Sequence, residues 1–163
     1  MAGLYIGSTS GFSGKNLLGV SLGLLLQQDG LNVGYIKPVG AQPGPGGGDL
    51  DAEFIQSVLG LEQSPKLVTP VVVDQDFLDS AFGSPAGDFM PTIKDAYGKL
   101  SGGKDLCLVG GSGSLLHSGK YCGLDGVSVI KELRIKAVLI DRDGDGHHYD
   151  HLLADKEILG GVL

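Results

Sequence analysis

The sequence predicts an α/β fold of three layers, a mainly parallel β-sheet covered by helices on both faces. Three observations predict it. Short apolar segments alternate along the chain with longer segments of helical period, the order that puts helices on both faces of a parallel sheet. The short segments are near-continuous apolar runs with no clean period of two, as in strands buried on both sides. Polar, glycine-rich loops follow three of them, at 7–14, 38–48 and 110–119, and loops at the carboxyl ends of parallel strands share one edge, where ligands bind.

Taken in order, Leu4-Tyr5-Ile6 reads as the first strand and 15–28 as the first helix, stopped by Asp29-Gly30. Residues 33–37 read as the second strand, broken by Pro38, and 41–48, rich in glycine and proline, as loop. A helix is expected over 49–59: Phe54, Ile55, Val58 and Leu59 share a face, Asp49 or Asp51 serves as its N-cap, and Gly60 ends it. Residues 67–73 are β-branched and extended, but Pro70 restricts them to loop or sheet edge. A helix over 85–100 is interrupted by Pro91 and Gly98. Then come a buried strand over 105–109, a helix over 127–133, a strand over 137–140 and a helix over 149–159.

The 163 residues suit one domain, 1–163, with no internal repeat and no linker. Its last residues, Gly161-Val162-Leu163, read as the start of a further strand, so the expectation is a domain truncated at its C-terminus. A net charge of −7 argues against a nucleic-acid surface and against an anionic membrane surface. It does not argue against an anionic ligand, because backbone N–H groups and one lysine suffice to hold a phosphate. Glycine accounts for 29 residues, an excess over the usual level of roughly 7% that suits loops approaching a ligand closely. Cys107 and Cys122 form no C-x-x-C pair, and Cys107 lies in an apolar run as a buried thiol. The longest apolar stretch, 17–26, is too short to span a bilayer. The expected location is cytoplasmic.

The segment Gly7-Ser8-Thr9-Ser10-Gly11-Phe12-Ser13-Gly14-Lys15-Asn16 carries the chemistry. A strand, a glycine-rich loop and a Gly-Lys pair at a helix N-terminus make a P-loop, whose N–H groups and helix dipole hold a β-phosphate while the lysine reaches the γ-phosphate. Thr9 to Asn16 are the expected nucleotide-binding residues. Two positions depart from G-x-x-x-x-G-K-[ST]: Thr9 stands at the first glycine, and Asn16 at the hydroxyl that ligates magnesium. The competing reading is a turn that only joins strand to helix.

This loop resembles that of dethiobiotin synthetase and its relatives, which include the cobyrinic acid a,c-diamide synthase group and the dethiobiotin-synthetase-like N-terminal domain of some phosphate acetyltransferases. The family carries Thr at Thr9, and Thr or Ser at Asn16. Gly34-Tyr35-Ile36-Lys37-Pro38-Val39 is similar to its G-Y-x-K-P-V, and Val109-Gly110-Gly111-Ser112-Gly113 to its V-E-G-x-G. The segments Asp49-Leu50-Asp51-Ala52-Glu53-Phe54 and Val58-Leu59-Gly60-Leu61 look most like the phosphate acetyltransferase type. The resemblance covers nearly the whole chain. It implies a P-loop NTPase-like fold, ATP and Mg2+ as cofactors, a small carboxylate or amine substrate, and a homodimer.

It also assigns roles. Lys37 matches a lysine that contacts the substrate or the transferred phosphate; the alternative is a solvated lysine at a strand end. Asp51, with Asn16, is the expected metal site, and the alternative for Asp51 is the helix N-cap. Gly110 stands where the family places a glutamate near the metal, so two of three metal-associated positions are altered. Phosphoryl transfer leans on metal charge. The favoured reading is therefore an ATP-binding domain, regulatory or weakly catalytic, with Lys15 and Lys37 as the groups that would act on phosphate. The alternative is an ATP-dependent enzyme that phosphorylates a carboxylate or carbamate for attack by an amine.

Other segments carry less. Asp141-Arg142-Asp143-Gly144-Asp145-Gly146 imitates the start of an EF-hand, but Leu152 stands where a glutamate is needed, and a turn explains it better. His147, His148 and His151 lack a completing ligand set. His117 follows the third loop, as either a ligand contact or a surface residue. Ser112 lacks the final glycine of a G-x-S-x-G elbow.

Overall fold

The computed structural model describes residues 2–83, 88–142 and 146–160. In chain order its elements are β1 (Ala2–Ser8), α1 (Lys15–Gln28), β2 (Val33–Ile36), β3 (Val39–Gly40), α2 (Leu50–Leu59), α3 (Pro65–Val68), β4 (Val71–Val72), α4 (Gln75–Gly83), α5 (Met90–Ser101), β5 (Leu106–Gly110), α6 (Gly126–Leu133), β6 (Lys136–Ile140) and α7 (His148–Leu159). Four strands form a parallel sheet in the order β2–β5–β1–β6. This is the expected α/β arrangement.

The sheet's two faces read directly from β1. Ile6 faces α1 and α2, where Gly19 and Ile55 meet it. Gly3 faces the other way, against Tyr97 of α5 and Ile135 beyond α6. Buried apolar side chains fill both sides, among them Ile6, Tyr35, Ile55, Leu108, Val109 and Ile130. Cys107 is fully buried and free, and burial pushes its thiol up to about 12. No helix among the described residues is long and apolar enough to cross a membrane.

Helix α1 sits close to its neighbours because its buried positions are glycines. Gly19 and Gly23 lie one turn apart on the face toward α2. A Cβ at Gly23 would stand 2.7 Å from Leu59 Cδ2, and one at Gly19 would stand 3.7 Å from both Ile55 and Ile6. The leucines at 17, 24 and 25 consequently point outward.

Three segments differ from expectation. Residues 65–68 form a helical turn begun by Pro65, and only Val71–Val72 is strand. That strand pairs with β3 in a separate two-stranded parallel sheet, because the chain resumes an extended path after Pro38. Helix α4 was not anticipated; its signal is Asp74, whose carboxylate accepts from the Phe77 N–H at 2.8 Å. The helix expected over 85–100 begins at Met90, so Pro91 lies in its first turn, where a missing N–H costs nothing; residues 84–87 lie outside the described residues.

Gly23→Val should destabilise the protein by about 1–3 kcal/mol, as overpacking does, measured by urea unfolding. Unchanged stability would mean that α1 and α2 are not held at this distance.

Candidate functional site

The three glycine-rich loops converge. A cavity of about 340 Å³ opens at the carboxyl edge of the sheet. Its wall takes Gly11 to Asn16 from the loop after β1, Lys37, Ala41, Gln42, Asp49 and Asp51 from the segment after β2, and Gly111 to Gly113 from the loop after β5. β1 is central, with β5 and β6 on either side, and a crevice beside such a strand is where this sheet class takes its ligands.

The loop after β1 is shaped for an anion. Gly14 has φ 92° and turns the chain into α1 without a side-chain cap. The backbone N–H groups of Gly11, Phe12, Gly14 and Lys15 donate to no acceptor among the described residues. They stand at the positive end of a 14-residue helix. Phe12 also has a positive φ, 56°, and its ring is 91% exposed at the rim. The Lys15 ammonium donates to Ser8 Oγ at 2.7 Å and to the Gly113 carbonyl at 2.8 Å, which ties two loops together. Burial, then repulsion from Lys37, holds the pKa of Lys15 below the ordinary lysine value; the attraction of Asp51 opposes them.

Lys37 is buried, not solvated. Its Nζ lies 2.5 Å from Asp49 Oδ1 and 3.0 Å from Asp51 Oδ2. The two aspartates divide the roles that the sequence left open. Asp49 is the N-cap of α2. Its Oδ1 accepts from the N–H groups of Asp51 and Ala52, and its Oδ2 from those of Ala41 at 2.9 Å and Gln42 at 3.0 Å. Asp51 stands two residues on, at the second position of α2, with a partly exposed carboxylate in the cavity wall. Burial pushes its pKa up, but hydrogen bonds from Asn16 and Lys37 and the charges of Lys37 and Lys15 outweigh that, and it lies below the usual carboxylate value.

Gly110 has a structural reason to lack a side chain. A Cβ there would stand 2.5 Å from the hydroxyl of Tyr35, whose ring fills the space beside it from β2. Sequence reasoning marked Gly110 and missed Tyr35, because nothing in the chain order reveals that the β2–β5 register sets the ring against that position.

Thr9 and Ser10 are outside the cavity wall. The Thr9 hydroxyl donates to Asp141 Oδ1, and its N–H to the Ile140 carbonyl at 3.2 Å, so this residue anchors the loop to the end of β6. Ser10 bonds Ser13 across the loop at 2.9 Å. Asp141 is therefore a support for the loop that its EF-hand-like context concealed; residues 143–145 of that segment lie outside the described residues. His117 is exposed and pairs with Ser114 at 3.3 Å, away from the cavity wall. Among the described residues no group of three or more His, Cys, Asp or Glu side chains is arranged to hold a metal ion.

Two comparisons bear on this site. The model of a family described as AAA domain matches residues 2–161. The ATP-dependent dethiobiotin synthetase BioD of Methanococcus vannielii is 27% identical over 146 residues, which is 88% of this chain and 66% of that protein. The chain thus spans slightly less than two thirds of the length of that relative.

Gly110→Ala should cost about 1–3 kcal/mol of stability by overpacking against the Tyr35 hydroxyl. Most of that loss should vanish in a Tyr35→Phe background, where the nearest ring carbon is 3.2 Å away. Additive losses in this double-mutant cycle would show that the two positions do not meet.

Proposed function

The chain belongs to the dethiobiotin synthetase-like P-loop family of AAA domains, and from that premise we propose that it is a cytoplasmic ATP-binding domain with a regulatory or weakly catalytic role. One observation carries this reading: Gly11, Phe12, Gly14 and Lys15, whose backbone N–H groups have no acceptor among the described residues, line a single cavity at the N-terminus of α1. That is a receptor for the β- and γ-phosphates of a nucleotide. Lys15 and Lys37 both belong to the cavity wall, and Lys37 repels the charge of Lys15, which an anion bound between them would relieve. The family uses ATP with Mg2+ in general. Low turnover is inferred from Asn16 and Gly110, which bring no charge to positions where phosphoryl transfer uses metal ligands. Free thiols at Cys107 and Cys122 suit a reducing compartment.

A second reading keeps the same residues and adds a reaction. ATP would phosphorylate a carboxylate or carbamate, and an amine would displace the phosphate, with Lys15 and Lys37 stabilising the transferred group. It is favoured by the position of Lys37 in the same cavity wall as Lys15.

Calorimetry with ATP on wild type and Lys15→Ala tests the first reading. Losing a charged hydrogen bond to phosphate costs about 1.5–3 kcal/mol, so affinity should fall by roughly 10–100-fold. Equal binding by both proteins, or none by wild type, would overturn it. Phosphate release that depends on Lys15 and is stimulated by an amine with bicarbonate would decide for the second reading.

We further infer a homodimer through the outer surface of α1 and α2, where Leu17, Leu24, Leu50, Phe54 and Val58 are exposed. Phe54→Glu should convert it to a monomer in sedimentation experiments; a monomeric wild type would exclude it.

A further inference from the structure

The donor set around Lys37 does not fit a magnesium ion, and we propose that the Lys37 ammonium takes the ion's place, so that the cavity binds a nucleoside triphosphate free of metal. The inference rests on the ATP-binding reading above. Magnesium is held by one or two carboxylates together with phosphates and waters, at near-ideal octahedral geometry. Of the two carboxylates in the cavity wall, Asp49 is saturated and Asp51 is shared with Lys37, and the third acidic position is missing.

Asp49 is the only fully buried carboxylate in the cavity wall. It accepts five hydrogen bonds, one from Lys37 and four from the backbone N–H groups of residues 41, 42, 51 and 52. A carboxylate offers about four lone-pair positions, so none is left for a cation. Asp51 retains some exposure, but Lys37 lies 3.0 Å from its Oδ2. A dication ligated by Asp51 would stand beside a buried ammonium of like sign. Asn16 stands, with a neutral amide, where the related loops carry a hydroxyl. At Gly110 the space that a third, acidic side chain would enter is filled by Tyr35.

Lys37 supplies what the ion would have supplied. Its ammonium is held in place from behind by Asp49 and from the side by Asp51. It has three N–H groups, and among the described residues only these two acceptors are engaged. The third N–H is available in the wall of the same cavity as Lys15. Phosphate oxygens bound in this cavity would thus meet two fixed positive charges, Lys15 and Lys37. A fixed ammonium neutralises charge without bringing the waters and open coordination positions that a metal gives to a transferring phosphoryl group, which agrees with binding in preference to turnover.

The test is calorimetry of ATP with wild type in excess magnesium and in EDTA, followed by the same pair of titrations on Lys37→Met. Wild type is expected to bind ATP in EDTA at least as tightly as in magnesium. Lys37→Met, which frees Asp51, is expected to lose tenfold or more in EDTA and to recover part of that loss in magnesium. Wild-type binding that is tenfold or more tighter in magnesium would overturn the proposal while leaving the ATP-binding reading intact. No binding in either buffer would remove the ATP-binding reading, and this one with it. If Lys37→Met does not fold, the wild-type pair alone decides.

Discussion

The contact between the Lys37 ammonium and the Asp49 carboxylate organises this end of the molecule. Both side chains are almost wholly withdrawn from water. Placing two charges there costs several kcal/mol per ion unless every lone pair and proton is engaged. Asp49 meets that condition by gathering the N–H groups that begin α2 and those of the loop at Ala41 and Gln42. The exit of β2, the glycine- and proline-rich loop and the start of α2 are therefore fixed relative to one another by one carboxylate. Breaking such a pair by deleting one partner typically costs about 3–5 kcal/mol. Lys37 adds a backbone tie, its N–H donating to the Val68 carbonyl at 2.9 Å.

From that junction the rest of the site follows by reach. With Lys37 fixed, Asp51 is drawn toward it at 3.0 Å, so the exit of β2 is also tied to the first turn of α2. The glycines at 19 and 23 let α1 and α2 approach closely. Lys15 is held on the other side by Ser8 and by the carbonyl of Gly113. Gly113 has φ 54°, and a Cβ there would collide with Ser118. The loop after β5 can present its carbonyl to Lys15 because the residue at that turn is glycine. Two ammonium groups and one partly exposed carboxylate then remain around the cavity, an arrangement that favours a bound anion.

Much of this was legible in the residues. The alternation of apolar runs with helical segments announced the parallel sheet. The Gly14-Lys15 pair after a strand announced the anion loop. The Asp49/Asp51 ambiguity was also visible, since either residue type caps a helix, but not its resolution: which aspartate is buried depends on where Lys37 enters from β2. The misplaced start of α5 has a local cause, because proline reads as an interruption until its position within the first turn is known. Thr9 looked like part of the phosphate loop, yet its hydroxyl is spent on Asp141, 132 positions away in the chain.

By itself the sequence determined the fold class, the position of the phosphate loop and the set of residues that can carry charge there, because these depend on local pattern and on side-chain chemistry. Tertiary structure alone decided which of those residues are free to meet a ligand. Sheet register put the Tyr35 ring into the space beside Gly110, and the crossing from β2 to α2 gave Asp49 to structure and left Asp51 at the cavity. Both outcomes depend on contacts between segments distant in the chain, which no local pattern encodes.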